Sequence, residues 1–267
     1  MGNRCLLLTF DLEEFDWPCE RGQPIEDEVQ LQVTCEGLDR LLPMLEQRSV
    51  RATFFTTASF ATARPLVVRT LAAAGHEIAG HGLAHSDDYL AMGAEEERGT
   101  LTVARQRLEA IAGRPVTGFR APRLQVGSLQ AIHDAGYRYD ANVHPTWVPG
   151  RYRALRAPRQ PWREAGLARV PISVTPWVPW PLSFFWFRLS GARLAALGAR
   201  LALAETGYLQ LYFHPWEAVP IAPYGIPRWL AIRTGPRFVQ MLDEFLGAIG
   251  PVESLTMEDY VRRVANC

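Results

Sequence analysis

Imidazole and carboxylate side chains, the two types best suited to holding a divalent ion, occur here at close spacings. His81 and His85 stand four residues apart in Ala79-Gly80-His81-Gly82-Leu83-Ala84-His85, directly after the apolar run His76-Glu77-Ile78-Ala79. A helical turn beginning at Gly82 would set residues i and i+4 on one face, about 5–6 Å apart at Cβ. Two ring nitrogens could then reach one ion at about 2.0–2.1 Å each. Near the N-terminus Asp11 and Glu13 are two residues apart, so on an extended strand both point to the same face. One can bind metal while the other stays beside it as a base. A zinc-type site needs about three protein ligands and an open position, and His81, His85 and one of these acids make up that set. Taken singly, each pair also fits a bland reading: surface histidines on a loop, or a solvated acidic turn, since Glu14 and Asp16 follow. With six histidines in 267 residues, it is the constellation that favours a metal site.

The elements around these residues must bring them together. Cys5 to Phe10 reads as a buried strand that ends in carboxylates, as α/β folds do at the carboxyl ends of their strands. Further strands are expected over 51–57, 76–79, 116–119, 137–142, 168–174 and 208–213, and helices over 30–47, 64–74, 93–112, 128–135, 191–204, 235–249 and 254–264. The 93–112 helix opens on Glu95, Glu96 and Glu97, which suit the positive end of its dipole. Residues 143–168, dense in Pro, Trp and Arg, read as a long loop. Strand and helix alternate about seven times, which calls for a parallel sheet with helices outside. In a closed or nearly closed barrel Asp11, His81, His85, Arg120 and His214 share one end. No boundary or repeat interrupts the pattern, so residues 1–267 are read as one domain.

Composition sets the frame. The chain has 48% hydrophobic and 21% charged residues, in the range of an ordinary globular protein. Its 28 basic and 28 acidic side chains cancel, which gives no reason to expect a nucleic-acid partner. Cys5, Cys19, Cys35 and Cys267 show no CxxC spacing and read as free thiols. Leu6-Leu7-Leu8 runs into Thr9-Phe10-Asp11 as a strand rather than a leader, and no apolar run is long enough to span a bilayer. A cytoplasmic protein is the expectation, with the inner face of the membrane as a place where it could act.

Motifs in this order resemble those of the polysaccharide deacetylase family, the NodB-homology enzymes of carbohydrate esterase family 4. The resemblance covers essentially the whole chain, from Leu7 to about Leu246. It implies a deformed (β/α)7-8 barrel, TIM-like and single-domain. Thr9-Phe10-Asp11 with Glu13 resembles the first motif, which makes Asp11 the general base and Glu13 a metal ligand. Leu12 separates the two acids where the common motif has adjacent aspartates, an Asp-x-Glu form similar to that of a sub-branch acting on exopolysaccharides, lipid-linked sugars or small amides. His81 and His85 match the second motif and complete the metal site. Phe119-Arg120-Ala121-Pro122 resembles the third, whose Arg orients the base, with Pro122 beside the substrate. Leu211-Tyr212-Phe213-His214-Pro215-Trp216-Glu217 resembles the last, whose His is the general acid, with Trp216 next to the sugar. Asp140 is the candidate for the remaining acid motif. The resemblance implies a divalent metal, zinc by default from the ligand types, with cobalt, nickel or iron able to occupy the same site.

The chemistry is that of metal-assisted amide hydrolysis. A bound ion lowers the pKa of water toward about 7 and polarises the carbonyl. Asp11 takes a proton from the attacking water and His214 protonates the leaving amine, while Arg120 beside Asp11 fixes that carboxylate's rotamer. Without that chemistry Arg120 would be an ordinary ion pair, Arg123 a surface charge and His214 a core histidine. The leading expectation is removal of an N-acetyl group from an amino sugar, in surface-glycan or lipid-linked sugar synthesis. A deformylase or small-molecule amidase with the same centre is the neighbouring reading, and a non-catalytic glycan-binding relative is the reading of another class. The aromatic stretch Trp177–Phe187, with Trp180 and Phe184, reads either as the lip of the substrate mouth, touching sugar or lipid carrier with peripheral membrane contact, or as packing over the barrel or between subunits.

Overall fold

The apolar run after Arg4 forms β1 (Cys5–Leu12), buried along its full length, in a computed structural model that describes residues 4–150 and 152–265. A strand covered on both faces needs such an unbroken apolar sequence. Then follow α1 (Trp17–Glu20), α2 (Asp27–Gln47), β2 (Ala52–Thr56), α3 (Ala58–Ala63), α4 (Pro65–Ala73) and β3 (Glu77–Gly80). Next are α5 (Ala94–Ala112), β4 (Gly118–Phe119), α6 (Leu129–Asp134), β5 (Tyr139–Asp140), β6 (Trp147–Val148) and β7 (Tyr152–Arg153). The rest of the chain holds β8 (Trp162–Glu164), β9 (Leu167–Arg169), α7 (Phe184–Ser190), α8 (Ala192–Thr206), β10 (Tyr208–Phe213), α9 (Pro236–Ala248), β11 (Glu253–Ser254) and α10 (Met257–Ala265).

The main sheet runs β10-β1-β2-β3-β4-β5-β9-β8, with β11 also on β1; only the β8–β9 pair is antiparallel. The sheet curls. Beyond β9 the Ser173 N–H donates to Gln210 O (2.9 Å) and the Gln210 N–H to Ser173 Oγ (3.0 Å), which returns the chain to β10. The result is the expected deformed (β/α) barrel. Its helices pack outside on apolar stripes: α9 buries Phe238, Met241, Leu242, Phe245 and Leu246, a helical spacing that brings Phe238 and Phe245 against Phe187. Each fully buried Phe contributes roughly 1.5–3 kcal/mol.

The structure corrects several details. The helix expected over 64–74 is α4; a short helix the sequence did not suggest, α3, precedes it, and Arg64, with φ −130°, separates the two. The loop expected over 143–168 holds the β6–β7 hairpin and most of the β8–β9 hairpin. The strand expected over 168–174 is regular only to Arg169. The aromatic stretch contributes a helix, α7. Cys19 and Cys35 are free thiols, and Cys267 lies outside the described residues. Among the described residues, no helix is long and apolar enough to cross a membrane.

Candidate active site and metal centre

The carboxyl ends of β1, β3 and β10 converge on one pocket, lined by Asp11, Glu13, His81, His85 and His214 among others. β1 delivers both acids as alternation requires. Glu13 Oε2 lies 3.0 Å from His81 Nε2 and 3.3 Å from His85 Nε2. These three residues offer ligand atoms that all lie within 4.8 Å of one another. The histidines are not on a helical face, as their spacing suggested. Gly82 takes φ +90°, which ends any helical path, and residues 83–86 form a bend and turn instead. The two rings still lie near-parallel, with centroids 6.0 Å apart.

Each histidine is aimed by the nitrogen that does not face Glu13. His81 Nδ1 sits 2.7 Å from Arg120 O, and His85 Nδ1 sits 2.8 Å from both oxygens of Asp16. Carbonyl and carboxylate partners of this kind orient metal-binding imidazoles and fix their tautomers. The donor set, two imidazoles and a carboxylate, therefore suits a divalent ion of the zinc type. Burial alone would push the Glu13 carboxyl up, yet His85, His214 and His81 hold it well below the usual range. Burial would lower the His85 pKa, but Glu13 and Asp16 raise it to about 9.

Arg120 is fully buried beneath the pocket. Its Nη1 donates to Asp11 Oδ1 (2.7 Å) and Thr9 Oγ1 (2.8 Å), and its Nε donates to Ala141 O (3.2 Å). The guanidinium lies over the Phe55 ring, 4.1 Å from the centroid. One Asp11 oxygen is thus fixed, and the other lies 3.9 Å from His214 Nε2.

His214 is stacked on Trp216 (4.5 Å between centroids) and meets the Phe184 ring at 4.8 Å. Its backbone N–H donates to Glu217 Oε1 (3.0 Å), and its Nδ1 lies 3.4 Å from the same oxygen. Burial would lower the His214 pKa, but Glu13, Glu217 and Asp11 raise it, which favours the protonated form a general acid needs. The turn carrying these residues can approach because α2 presents Gly37 to it. A methyl there would fall inside contact distance of the Pro215 carbonyl oxygen.

Not every expected residue reaches the pocket. Phe184 and Trp216 line it, and Trp216 also donates from Nε1 to Glu13 Oε1 (3.4 Å). Pro122 is buried; it begins the turn whose next residues, Arg123 (φ 55°) and Leu124 (φ 60°), do line the pocket. Trp180 lines a separate apolar groove. Asp140 is fully buried away from these groups, where its carboxylate binds Arg169 Nε (2.8 Å) and Asn142 Nδ2. Residues that sequence reasoning left out are Asp16, Glu217 and Arg188, whose Nε donates to Glu217 Oε2 (2.7 Å). Glu217 was within reach of a sequence reading, three residues after His214 in a capping arrangement. Arg123, readable as a surface charge, in fact clamps the loop by donating to His85 O (3.0 Å) and Asp87 O (2.8 Å).

Comparisons with known proteins bear on the family and the fold. The chain is 25% identical over 116 residues to a peptidoglycan deacetylase of Helicobacter pylori, a match spanning 42% of this chain and 39% of that protein's length. A Mycobacterium smegmatis structure carrying the polysaccharide deacetylase designation superposes with TM-score 0.68 at 22% identity, over 100% of this chain and 92% of that one. An allantoinase shares the fold with TM-score 0.67 at 18% identity, over 99% and 92% of the two chains. The sequence profile of the polysaccharide deacetylases matches residues 2–139, just over half the chain. With the barrel, the chain belongs to the polysaccharide deacetylase family.

Proposed function

We propose that the protein is a metal-dependent hydrolase that removes an N-acetyl group from an amino sugar, in the synthesis of a cell-surface glycan or a lipid-linked sugar. The observation carrying this reading is the placement, in one pocket, of a three-residue ligand set beside an Arg-anchored carboxylate and a carboxylate-anchored histidine. Glu13, His81 and His85 would hold the ion, zinc by default; when bound, it supplies Lewis-acid polarisation of the amide carbonyl and of water. Asp11, fixed on one oxygen by Arg120, presents the other to accept the proton of the attacking water. His214, held by Glu217 across from Asp11, donates a proton to the departing amine. Phe184, partly exposed at the pocket, offers a face on which a sugar ring can stack, while Trp216 is buried against His214 and backs the site. Retention of all six groups argues against a glycan-binding relative without activity. The fold shared with an allantoinase keeps a small-molecule amidase as the second reading.

Metal content by elemental analysis and acetate release from N-acetylated amino sugars test the proposal on wild type, His81→Ala and Asp11→Asn. The expected pattern is about one ion per chain in wild type and Asp11→Asn, little in His81→Ala, and acetate only from wild type. Wild type that retains no metal after loading with zinc would overturn the metal-dependent reading. Metal retained with turnover only of small amides or formyl compounds would move the assignment to the second reading.

A further inference from the structure

Between Glu164 and Glu205 the chain runs forty residues without an Asp or Glu and with four arginines, although it has 28 acids in 267 residues. Two of those arginines are engaged inside the fold: Arg169 with Asp140 and Glu164, and Arg188 with Glu217. The other two, Arg193 and Arg200, are exposed on α8 two helical turns apart, with Arg200 also donating from Nε to Ala248 O (2.9 Å) at the end of α9. The same helix carries large apolar residues on its outer side. A surface helix normally turns its large apolar residues to the core, but α8 buries chiefly small ones, Ala192, Ala195, Ala196, Ala199 and Ala202 with Leu203 at its end, and turns Leu194 (61% exposed) and Leu197 (53%) outward.

A braced loop extends this face. The Thr175 N–H donates to Trp180 O (3.1 Å), and the Trp180 N–H to Thr175 Oγ1 (2.9 Å). The loop lies directly on α8, since a methyl at Gly198 would fall 2.7 Å from Thr175 Cγ2 and 2.9 Å from Leu182 Cδ2. At its tip Trp177 is 83% and Val178 71% exposed. Between loop and helix runs an apolar groove of about 350 Å³, lined by Trp180, Leu182, Leu194, Leu197 and Leu201 among others. It adjoins, at Ser190 and Leu194, a second groove lined by Arg193, Arg233 and Arg237, with Glu244 as its acid.

We propose that this face docks on an anionic phospholipid bilayer, with Trp177, Val178, Leu194 and Leu197 entering the boundary between headgroups and acyl chains and Arg193, Arg200 and Arg233 meeting headgroup phosphates. Apolar side chains rimmed by arginines match that surface in both polarity and sign. The chain is neutral overall, so the local excess of positive charge belongs to this face and not to the protein at large. Docking stands apart from the chemistry assigned to the pocket, but it orients the pocket. In α7, Phe184 lines the catalytic pocket, while Phe185 packs on the exposed Trp229 (6.0 Å) and Trp186 on Trp180 (5.0 Å).

Sedimentation with sucrose-loaded vesicles tests this on the full chain, comparing phosphatidylcholine alone with phosphatidylcholine containing phosphatidylglycerol. Wild type is expected to pellet with the anionic vesicles and to be released by salt. The double variant Trp177→Ser/Leu194→Ser and the single variant Arg193→Glu should each bind at least about tenfold more weakly, with unchanged melting temperature and unchanged turnover of soluble substrate. Wild type remaining in the supernatant with both vesicles would overturn the proposal. So would vesicle binding equal in wild type and both variants, or a wild-type dimer that the double variant dissociates and that binds no vesicle, which would make the face a contact between two copies.

Discussion

Glu217 Oε1 accepts the backbone N–H of His214 at 3.0 Å and faces that residue's Nδ1 at 3.4 Å, so one carboxylate oxygen addresses both the main chain and the ring of the histidine opposite Asp11. The other oxygen of Glu217 is taken by Arg188 at 2.7 Å, and both partners are fully buried. The proposed proton donor thus hangs from a rigid, charged bracket whose far end belongs to the aromatic helix α7.

Glu217→Gln keeps the volume and one acceptor but removes the charge that supports a protonated His214. It should lower kcat by about ten- to a hundredfold, with KM little changed and the alkaline limb of the pH profile shifted to lower pH. Arg188→Met should lower kcat in the same direction and lose most of its effect in the Glu217→Gln background, because the two residues act through one bracket. Steady-state kinetics of the two single variants and the double variant check both statements.

Asp16 touches His85 and contributes no ligand atom to the Glu13–His81–His85 set, so its loss should be felt through the orientation of that ring. Asp16→Ala is expected to weaken metal binding by about 10- to 100-fold. At saturating metal its kcat should return to near the wild-type value. Titration against a coloured chelator, followed by turnover at high metal, separates the two effects.

Gly37→Ala places a methyl against the Pro215 carbonyl oxygen, and the turn holding His214 must move or α2 must shift. The cost should be about 1–3 kcal/mol in urea denaturation. The loss of kcat should exceed that of a core variant of equal instability far from the pocket, such as Ile132→Val or Ile132→Ala, because the displaced element carries the proton donor.

At the opposite end of the barrel Glu77 is buried, and burial pushes its carboxyl up to about 7 although Tyr139, the Glu258 N–H and Thr53 all donate to it. Its folded pKa is raised above the ordinary 4.5, so the folded state holds this proton more tightly than the unfolded chain. The associated stability is complete below about pH 4.5 and is lost as pH rises through about 7, up to about 3 kcal/mol in all. Urea midpoints at about pH 5 and about pH 8 should therefore differ more in wild type than in Glu77→Gln, which cannot ionise.

Much of this was legible in the sequence, because strand ends collect in a barrel whatever their order along the chain. Asp11 is the last residue but one of its strand, Glu13, His81, His85, Arg120 and His214 lie just beyond strand ends, and five of them line the pocket while Arg120 reaches it through Asp11. What stayed hidden depends on contacts distant in sequence or on backbone that composition does not advertise. Arg188 sits among Phe and Trp residues and acquires its role only from Glu217, twenty-nine residues away. Asp140 looked like a catalytic acid, but Arg169 reaches it from the neighbouring strand. The β8–β9 hairpin turns through Ala165 and Gly166, both at positive φ, and alanine is a poor signal for such a turn. Asp-x-Glu is legible as a pair of acids, whereas the division of labour proposed for them rests on the Arg120 contact that Asp11 makes.

The parallel pairing of β1 with β10 has a consequence for how the molecule is made. Leu8 lies opposite Leu211, so one edge of the most apolar strand waits for a partner synthesised roughly two hundred residues later. Until then the emerging chain holds Glu13, His81 and His85 but not His214, and it exposes an unpaired strand edge of the kind that recruits other chains. A nascent or truncated form ending before β10 would carry the three proposed ligands yet lack the proposed proton donor, and would tend to aggregate. On the proposed function, the residues for the ion are synthesised well before the residue that completes the reaction.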